Sequence, residues 1–380
     1  MHNWYFNCST KLNFCRWQSY LQEIKTTSNI LLISTKGFQK RGLIQEFINI
    51  LGKNNNIIIK MAEENPEISK LNELIEELKG ASIEYIIALG GGSVIDTAKV
   101  LSIFIQQECK INIYDNLINK AKINNNNPIK IIAIPTTAGS GSEVTQFATV
   151  WDKERLEKHS ISSDSLRPKV SILDYKLTIG LPIDITISSG LDALSHGFES
   201  IWNKNANPIT ILLAKNAIKI ALDQLPELAK DPSNEKAREL MQQSSCMSGM
   251  AISNTKTALA HSMSYPLTTK FDLPHGIACS FTLGELLIFN SQLDDGRLLQ
   301  LANELGFGSV EKLSSHIYNL LIELNIRRRL KEFLPSDQRE ILSLSSQMSH
   351  PERALNNIRK AHTKDIEFLI KNSLNKIDFN

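Results

Sequence analysis

The 380-residue chain has no cysteine pair at CxxC spacing and, beyond the short RRR at 327–329, no clustered run of lysine or arginine. Nor does it hold the roughly 18 uninterrupted apolar residues that a membrane-crossing helix needs. Each absence removes a class of protein. Its five cysteines, Cys8, Cys15, Cys109, Cys246 and Cys279, are odd in number and scattered. That argues against a disulfide framework and against a thiolate zinc site, and reduced, mostly buried thiols are expected. The N-terminal MHNWYFNCSTKLNFCRW lacks a basic start followed by an apolar core, so the cytoplasm is the expected location. A formal charge of +2 without an extended basic cluster disfavours nucleic acid and membrane surfaces as partners and points to a small molecule. What is present is ordinary globular material, 42% hydrophobic, and enough of it for two domains with their own cores.

Short β-branched runs recur through the first half: NILLIS at 29–34, NIIIK at 56–60, EYIIALG at 84–90, KIIAIP at 130–135 and VSIL at 170–173. Between several of them lie helix-period stretches such as ISKLNELIEELKG at 68–80. Apolar strands alternating with helices predict a parallel sheet buried on both faces. The segment INNNNPI at 123–129 reads as a loop. Strand-like runs end with LPIDITISS at 181–189, and helical periodicity follows, broken by Pro208, Pro226, Pro232, Pro266, Pro274 and Pro335. The expected organisation is an α/β domain with a parallel sheet over 1–180 and an all-α domain over 181–380, without internal repeats.

The clearest chemical signal in the first half is ALGGGSVIDTAK, in which a strand ends at Leu89 and a helix begins near Ser93. Gly91 and Gly92 let the backbone approach an anion, and the N–H groups and dipole of the helix then favour a pyrophosphate. A plain strand-to-helix turn needs one glycine, and three in a row favour phosphate binding. Asp96 sits in the first turn. The spacing is not GxGxxG, so a standard Rossmann assignment does not apply. A second loop, IPTTAGSGSEVT at 134–145, offers Thr136, Thr137 and Ser140 as donors to phosphate, ribose or a carboxamide at a sheet's carboxyl edge, although a flexible Ser/Thr loop has the same composition.

In the second half, Asp192 and His196 lie four apart in SSGLDALSHGFES and leave one face of a helical turn. His261 in TALAHSMSYPL and His275 in DLPHGIACS sit in equally apolar surroundings. A lone histidine on an apolar face is more often a core residue than a ligand. Four such groups, with no local partners to satisfy buried imidazoles, read as a metal-ligand set. One carboxylate with three imidazoles suits Fe(II) or Zn(II) and not Mg(II) or Ca(II).

These motifs, in this order and spacing, resemble the iron-containing (group III) alcohol dehydrogenase family over nearly the whole chain, from the WYF run at 4–6, read as a strand, to the NNIRKAHTKDIEFLI tail. The resemblance implies a dehydroquinate-synthase-like α/β domain that binds NAD or NADP and an all-helical domain that holds Fe(II) or Zn(II). It also implies hydride transfer between nicotinamide and a short aldehyde or primary alcohol. Residue by residue, it carries the metal to Asp192, His196, His261 and His275. The cofactor falls to Gly91, Gly92, Ser93, Asp96, Thr136, Thr137, Ser140 and Lys158. Two positions depart from the family pattern. Tyr265 stands where many members carry a histidine, so it lines the pocket or relays a proton, and Thr35 stands where an aspartate often meets the adenosine ribose, which weakens strict NAD preference. The segments at 158–168, 199–210 and 261–276 look most similar to the phosphonoacetaldehyde reductase branch, with His159, Arg167 and Lys204 as cations for a phosphonate, though each could equally be a solvated surface charge. The rival reading is a lyase or cyclase resembling dehydroquinate synthase, which uses nicotinamide transiently. The partners expected are a small-molecule aldehyde or alcohol and a second copy of the chain in a homo-oligomer, a dimer.

Overall fold

The computed structural model describes residues 3–52, 55–106, 113–114, 117, 127–155 and 157–379. Residues 123–126 of the expected asparagine-rich loop, and Cys109, lie outside the described residues. The chain divides into two compact units, one made of Cys8–Thr137 and Ser142–Thr178, the other of Met1–Asn7, Ala138–Gly141 and Ile179–Asn380.

The first unit is built on a six-stranded parallel sheet in the order β1-β8-β5-β4-β2-β3. Its strands are β1 (Lys11–Asn13), β2 (Asn29–Ser34), β3 (Asn56–Met61), β4 (Ile83–Gly90), β5 (Lys130–Pro135) and β8 (Val170–Ile172). Apolar residues at successive positions point to opposite faces. Leu31, Ile33, Ile86, Ala88, Ile131 and Ala133 therefore pack with helices α4 (Ile68–Leu78) and α5 (Gly92–Phe104). The alternate set, Ile30, Leu32, Ile87, Leu89, Ile132 and Ile134, meets α1 (Trp17–Leu21), α2 (Lys36–Lys40) and α3 (Leu43–Leu51). An antiparallel hairpin of β6 (Phe147–Asp152) and β7 (Glu157–Ser162) completes the unit, and no apolar run announces it.

The second unit is helical. In chain order it contains α6 (Ile183–Ile201), α7 (Pro208–Lys230), α8 (Glu235–Thr255), α9 (Leu259–Phe271), α10 (His275–Ser280), α11 (Leu283–Ser291), α12 (Arg297–Glu304), α13 (Val310–Glu323), α14 (Ile326–Phe333), α15 (Gln338–Leu342), α16 (Pro351–Ala354) and α17 (Thr363–Lys376). Helix α7 carries a full capping box, in which the Asn207 side chain accepts from Thr210 N–H while the Thr210 hydroxyl receives the Asn207 N–H.

Three sequence expectations are corrected. LPIDITISS is no strand, because its residues from Ile183 onward open α6, where Ile187 is buried and Gly190 sits so close to Leu225 that an added Cβ would lie 2.4 Å from it. Packing overrides the β-branched propensity. Pro226 and Pro266 lie inside α7 and α9 and do not end them. The WYF run forms no strand either, since the adjoining backbone is held by helical-unit amides: Asn207 Nδ2 donates to Tyr5 O (3.3 Å) and Asn254 Nδ2 to Asn7 O (3.1 Å).

Among the described residues, Cys8 and Cys15 are half-buried and Cys246 and Cys279 buried, all as free thiols. No helix there is long and apolar enough to cross a membrane.

Candidate functional site

In the helical unit, Asp192, His196 and Glu199 occupy successive turns of one face of α6, at i, i+4 and i+7, and all three are buried. Helix α9 contributes His261 and α10 begins with His275. Gly276 makes this arrangement possible: a Cβ there would stand 1.8 Å from Ser188 O and 3.1 Å from Asp192 N, so only glycine allows α10 to lie flush on α6. Around Asp192 Oδ1 the Nε2 atoms of His261, His196 and His275 lie at 3.4, 3.8 and 3.9 Å. The His196 and His261 rings stack at 4.7 Å, and the His275 ring meets the His261 ring edge-on at 5.2 Å.

Donor atoms of Asp192, His261, His275 and Cys279 all fall within 4.8 Å of one another. Cys279, one turn after His275 with Sγ 3.7 Å from its ring nitrogens, was not among the ligands read from sequence. His196 stands just outside that tightest group. Glu199 was also missed, although its i+7 spacing from Asp192 was a readable signal. Its carboxylate, fully buried, accepts from Ala258 N–H (2.9 Å) and His261 N–H (3.0 Å) and lies 2.7 Å from His261 Nδ1. That contact turns His261 Nε2 toward Asp192, the carboxylate–histidine arrangement that orients metal-binding imidazoles.

Burial alone would raise the Asp192 carboxyl, but the imidazoles of His196, His261 and His275 hold it far below the ordinary carboxylate range. Burial also pushes His196 down, which keeps a ring lone pair available. Asp192 Oδ1, His196 Nδ1 and His261 Nε2 are buried without a hydrogen-bond partner. Orphaned polar atoms of this kind are costly unless something binds them, and a divalent cation fits an oxygen, nitrogen and sulfur donor set.

One turn beyond His261, the half-buried Tyr265 ring stacks on the His275 ring at 5.9 Å with the planes 17° apart, and the Arg353 guanidinium lies 4.3 Å from its centroid. Of the cations singled out from sequence, Lys204 Nζ donates to Leu355 O (2.9 Å), Arg167 is paired with Asp164 and bonded to Val144 O, and His159 lies 3.2 Å from Glu157.

In the sheet unit, the carboxyl ends of the neighbouring strands β2, β4 and β5 carry Thr35, Gly91 and Thr136. Helix α5 starts at Gly92 without a side-chain cap, and Gly91 lies so near Thr137 that a Cβ would meet its side chain at 3.3 Å. Thr136 N–H donates to Gly90 O (3.1 Å), tying the two loops together. Ser93 Oγ accepts from Asn65 N–H (3.3 Å). Asp96 is engaged inside the unit, accepting from Ser142 Oγ (2.6 Å) and Thr149 N–H (2.8 Å) with Lys99 Nζ at 3.9 Å. Thr35 caps α2 in extended conformation and is half-buried. Lys158 Nζ lies 5.1 Å from the Trp151 ring centroid. Ser140 belongs to the helical unit, where its neighbours Gly139 and Gly141 are forced: a Cβ would lie 2.4 Å from Ser189 O and from Gly249 Cα respectively.

Residues 14–175 match the family described as iron-containing alcohol dehydrogenase, and residues 186–374 its C-terminal region. The chain is 30% identical over 325 residues to the NAD-dependent methanol dehydrogenase of Bacillus methanolicus, spanning 83% of this chain and 84% of that protein. It is 31% identical over 250 residues to the phosphonoacetaldehyde reductase of Streptomyces viridochromogenes, spanning 63% and 61%. The crystal structure of the sulfoacetaldehyde reductase of Bifidobacterium kashiwanohense in complex with NAD+ superposes with a TM-score of 0.89 at 28% identity, covering 98% of this chain and 99% of that one.

Proposed function

Because the chain belongs to the iron-containing alcohol dehydrogenase family, and so is an NAD(P)-dependent oxidoreductase of alcohols and aldehydes, we propose that it reduces a short aldehyde with an anionic tail, phosphonoacetaldehyde to 2-hydroxyethylphosphonate first among them. The observation that carries the metal-dependent chemistry is the set of orphaned buried atoms around Asp192. Two relatives named for aldehydes with a phosphonate or sulfonate tail support the substrate class. In this reading residues 1–180 bind the dinucleotide and residues 181–380 hold metal and substrate.

When bound, the divalent ion supplies Lewis acidity at the substrate oxygen and the nicotinamide exchanges the hydride. The side chains do the rest. Asp192, His196, His261 and His275 present the donors, and Glu199 keeps His261 Nε2 turned toward them. Gly91, Gly92 and Ser93 offer backbone N–H groups to the pyrophosphate, with Thr35, Asp96, Thr136, Thr137, Ser140 and Lys158 around the rest of the dinucleotide. Tyr265 lines the substrate pocket. The lyase or cyclase alternative is not favoured, since both halves of the chain match the dehydrogenase family. The test is net NAD(P)H consumption with metal-loaded enzyme across aldehydes that differ only in a terminal phosphonate, sulfonate, carboxylate or methyl group. Turnover confined to the methyl-terminated aldehyde would sink the substrate reading, and absence of net consumption would sink the reductase reading.

A further inference from the structure

We propose that Arg353 is the residue that recognises the anionic tail of the substrate, an inference that rests on the aldehyde-reductase reading above. Arg353 belongs to the four-residue helix α16, which is fastened to the segment carrying His261 at both ends. Before it, the buried Ser262 hydroxyl donates to Met348 O (2.7 Å) and accepts from His350 N–H (2.8 Å). After it, Asn356 Nδ2 donates to Thr257 O (2.8 Å). The half-buried guanidinium so placed lies 4.3 Å from the centroid of Tyr265, whose ring stacks on that of His275, itself 3.9 Å from Asp192 Oδ1. A cation thus stands one side chain, that of Tyr265, from the metal cluster.

Its place beside Tyr265 and His275, without a carboxylate of its own, is what marks it. Among the described residues the Arg353 guanidinium has no hydrogen bond and no carboxylate partner. Three other cations of the helical unit are occupied: Arg297 pairs with Asp295, Arg359 donates to Phe289 O and Gln292 Oε1, and Lys204 to Leu355 O. A guanidinium resting over an aromatic ring has less freedom to swing its fork of N–H donors, which suits the paired oxygens of a phosphonate, sulfonate or carboxylate. The contact with Tyr265 limits where that fork lies, so Tyr265 positions the receptor and Arg353 selects the tail.

The experiment measures kcat/KM with phosphonoacetaldehyde, sulfoacetaldehyde and propanal for the metal-loaded wild type, Arg353→Ala, Arg353→Gln and Arg353→Lys, with methylphosphonate as a competing anion. In Arg353→Ala the ratio of efficiency on either anionic aldehyde to that on propanal should fall about tenfold to a hundredfold, mostly through KM, as loss of a charge-assisted hydrogen bond predicts. Inhibition by methylphosphonate should weaken in parallel. Arg353→Gln, which keeps much of the packing, should lose as much, and Arg353→Lys should recover part. A ratio unchanged in Arg353→Ala and Arg353→Gln, with propanal still reduced, would overturn the assignment of Arg353 and leave the reductase reading standing. A wild type that consumes no aldehyde at all would overturn both.

Discussion

Three donors converge on the buried carboxylate of Glu199, and one of them is the ring of His261. Burial opposes its charge, but His261 and the two backbone N–H groups hold it below the ordinary carboxylate range. Glu199→Gln keeps the shape and weakens this hold, so affinity for Fe(II) or Zn(II) should drop about tenfold to a hundredfold, as changes beside a metal ligand do. Metal titration followed by mass spectrometry checks it, and undiminished affinity would remove Glu199 from the site. At Tyr265, removal of the hydroxyl alone in Tyr265→Phe should cost less than tenfold in kcat, because a general acid–base role is worth about a hundredfold or more. A loss that large at unchanged KM would make the phenol a proton donor. In the sheet unit, burial pushes Glu143 from an ordinary 4.5 up to about 7. Folded protein therefore keeps a proton that unfolded chain releases, and stability declines as pH rises through that interval, by on the order of 3 kcal/mol. Glu143→Gln should flatten the decline in denaturant titrations between pH 5 and about 8, and a slope equal to the wild type's would assign it to other groups.

At the scale of elements, Gly276 has the closest neighbour that an added Cβ would meet among the described glycines. Gly276→Ala drives a methyl group into Ser188 O and must separate α10 from α6, so soluble yield or melting temperature should fall sharply along with metal content. A folded variant with full metal occupancy would show that α10 can shift without cost. Elements legible in the sequence were those with strong local signatures. The five apolar runs became β2, β3, β4, β5 and β8 because strands covered on both faces need apolar residues at every position. The β6–β7 hairpin escaped notice because EKHSIS is polar, and the hairpin's buried apolar residues, Ala148, Val150 and Ile161, find cover only in the folded unit, where Thr149 N–H also donates to Asp96. In the candidate site, Asp192, His196, His261 and His275 stood out as polar residues in apolar stretches. Cys279 and Arg353 did not, since a buried cysteine looks like any small apolar residue and nothing local ties an arginine 92 positions along to His261. Only the fold brings such residues together.

For the molecule as a whole, the donors proposed for the metal all belong to the helical unit, whose core is separate from the two apolar layers of the sheet unit. Metal should therefore stabilise locally. In hydrogen exchange followed by mass spectrometry, Zn(II) should slow amides of α6, α9 and α10 and leave β2, β4 and β5 little changed. Equal slowing in both units would mean that binding reorganises the whole chain.

The short stretch Ala138–Gly141 carries a consequence for biosynthesis. It is made long before the α6 and α8 backbones against which Gly139 and Gly141 close, so it leaves the ribosome with nothing to fold onto. The sheet unit can mature around it while the stretch waits. Any recombinant exchange of the helical half with a relative would have to carry these four residues along, or leave the graft with a foreign plug.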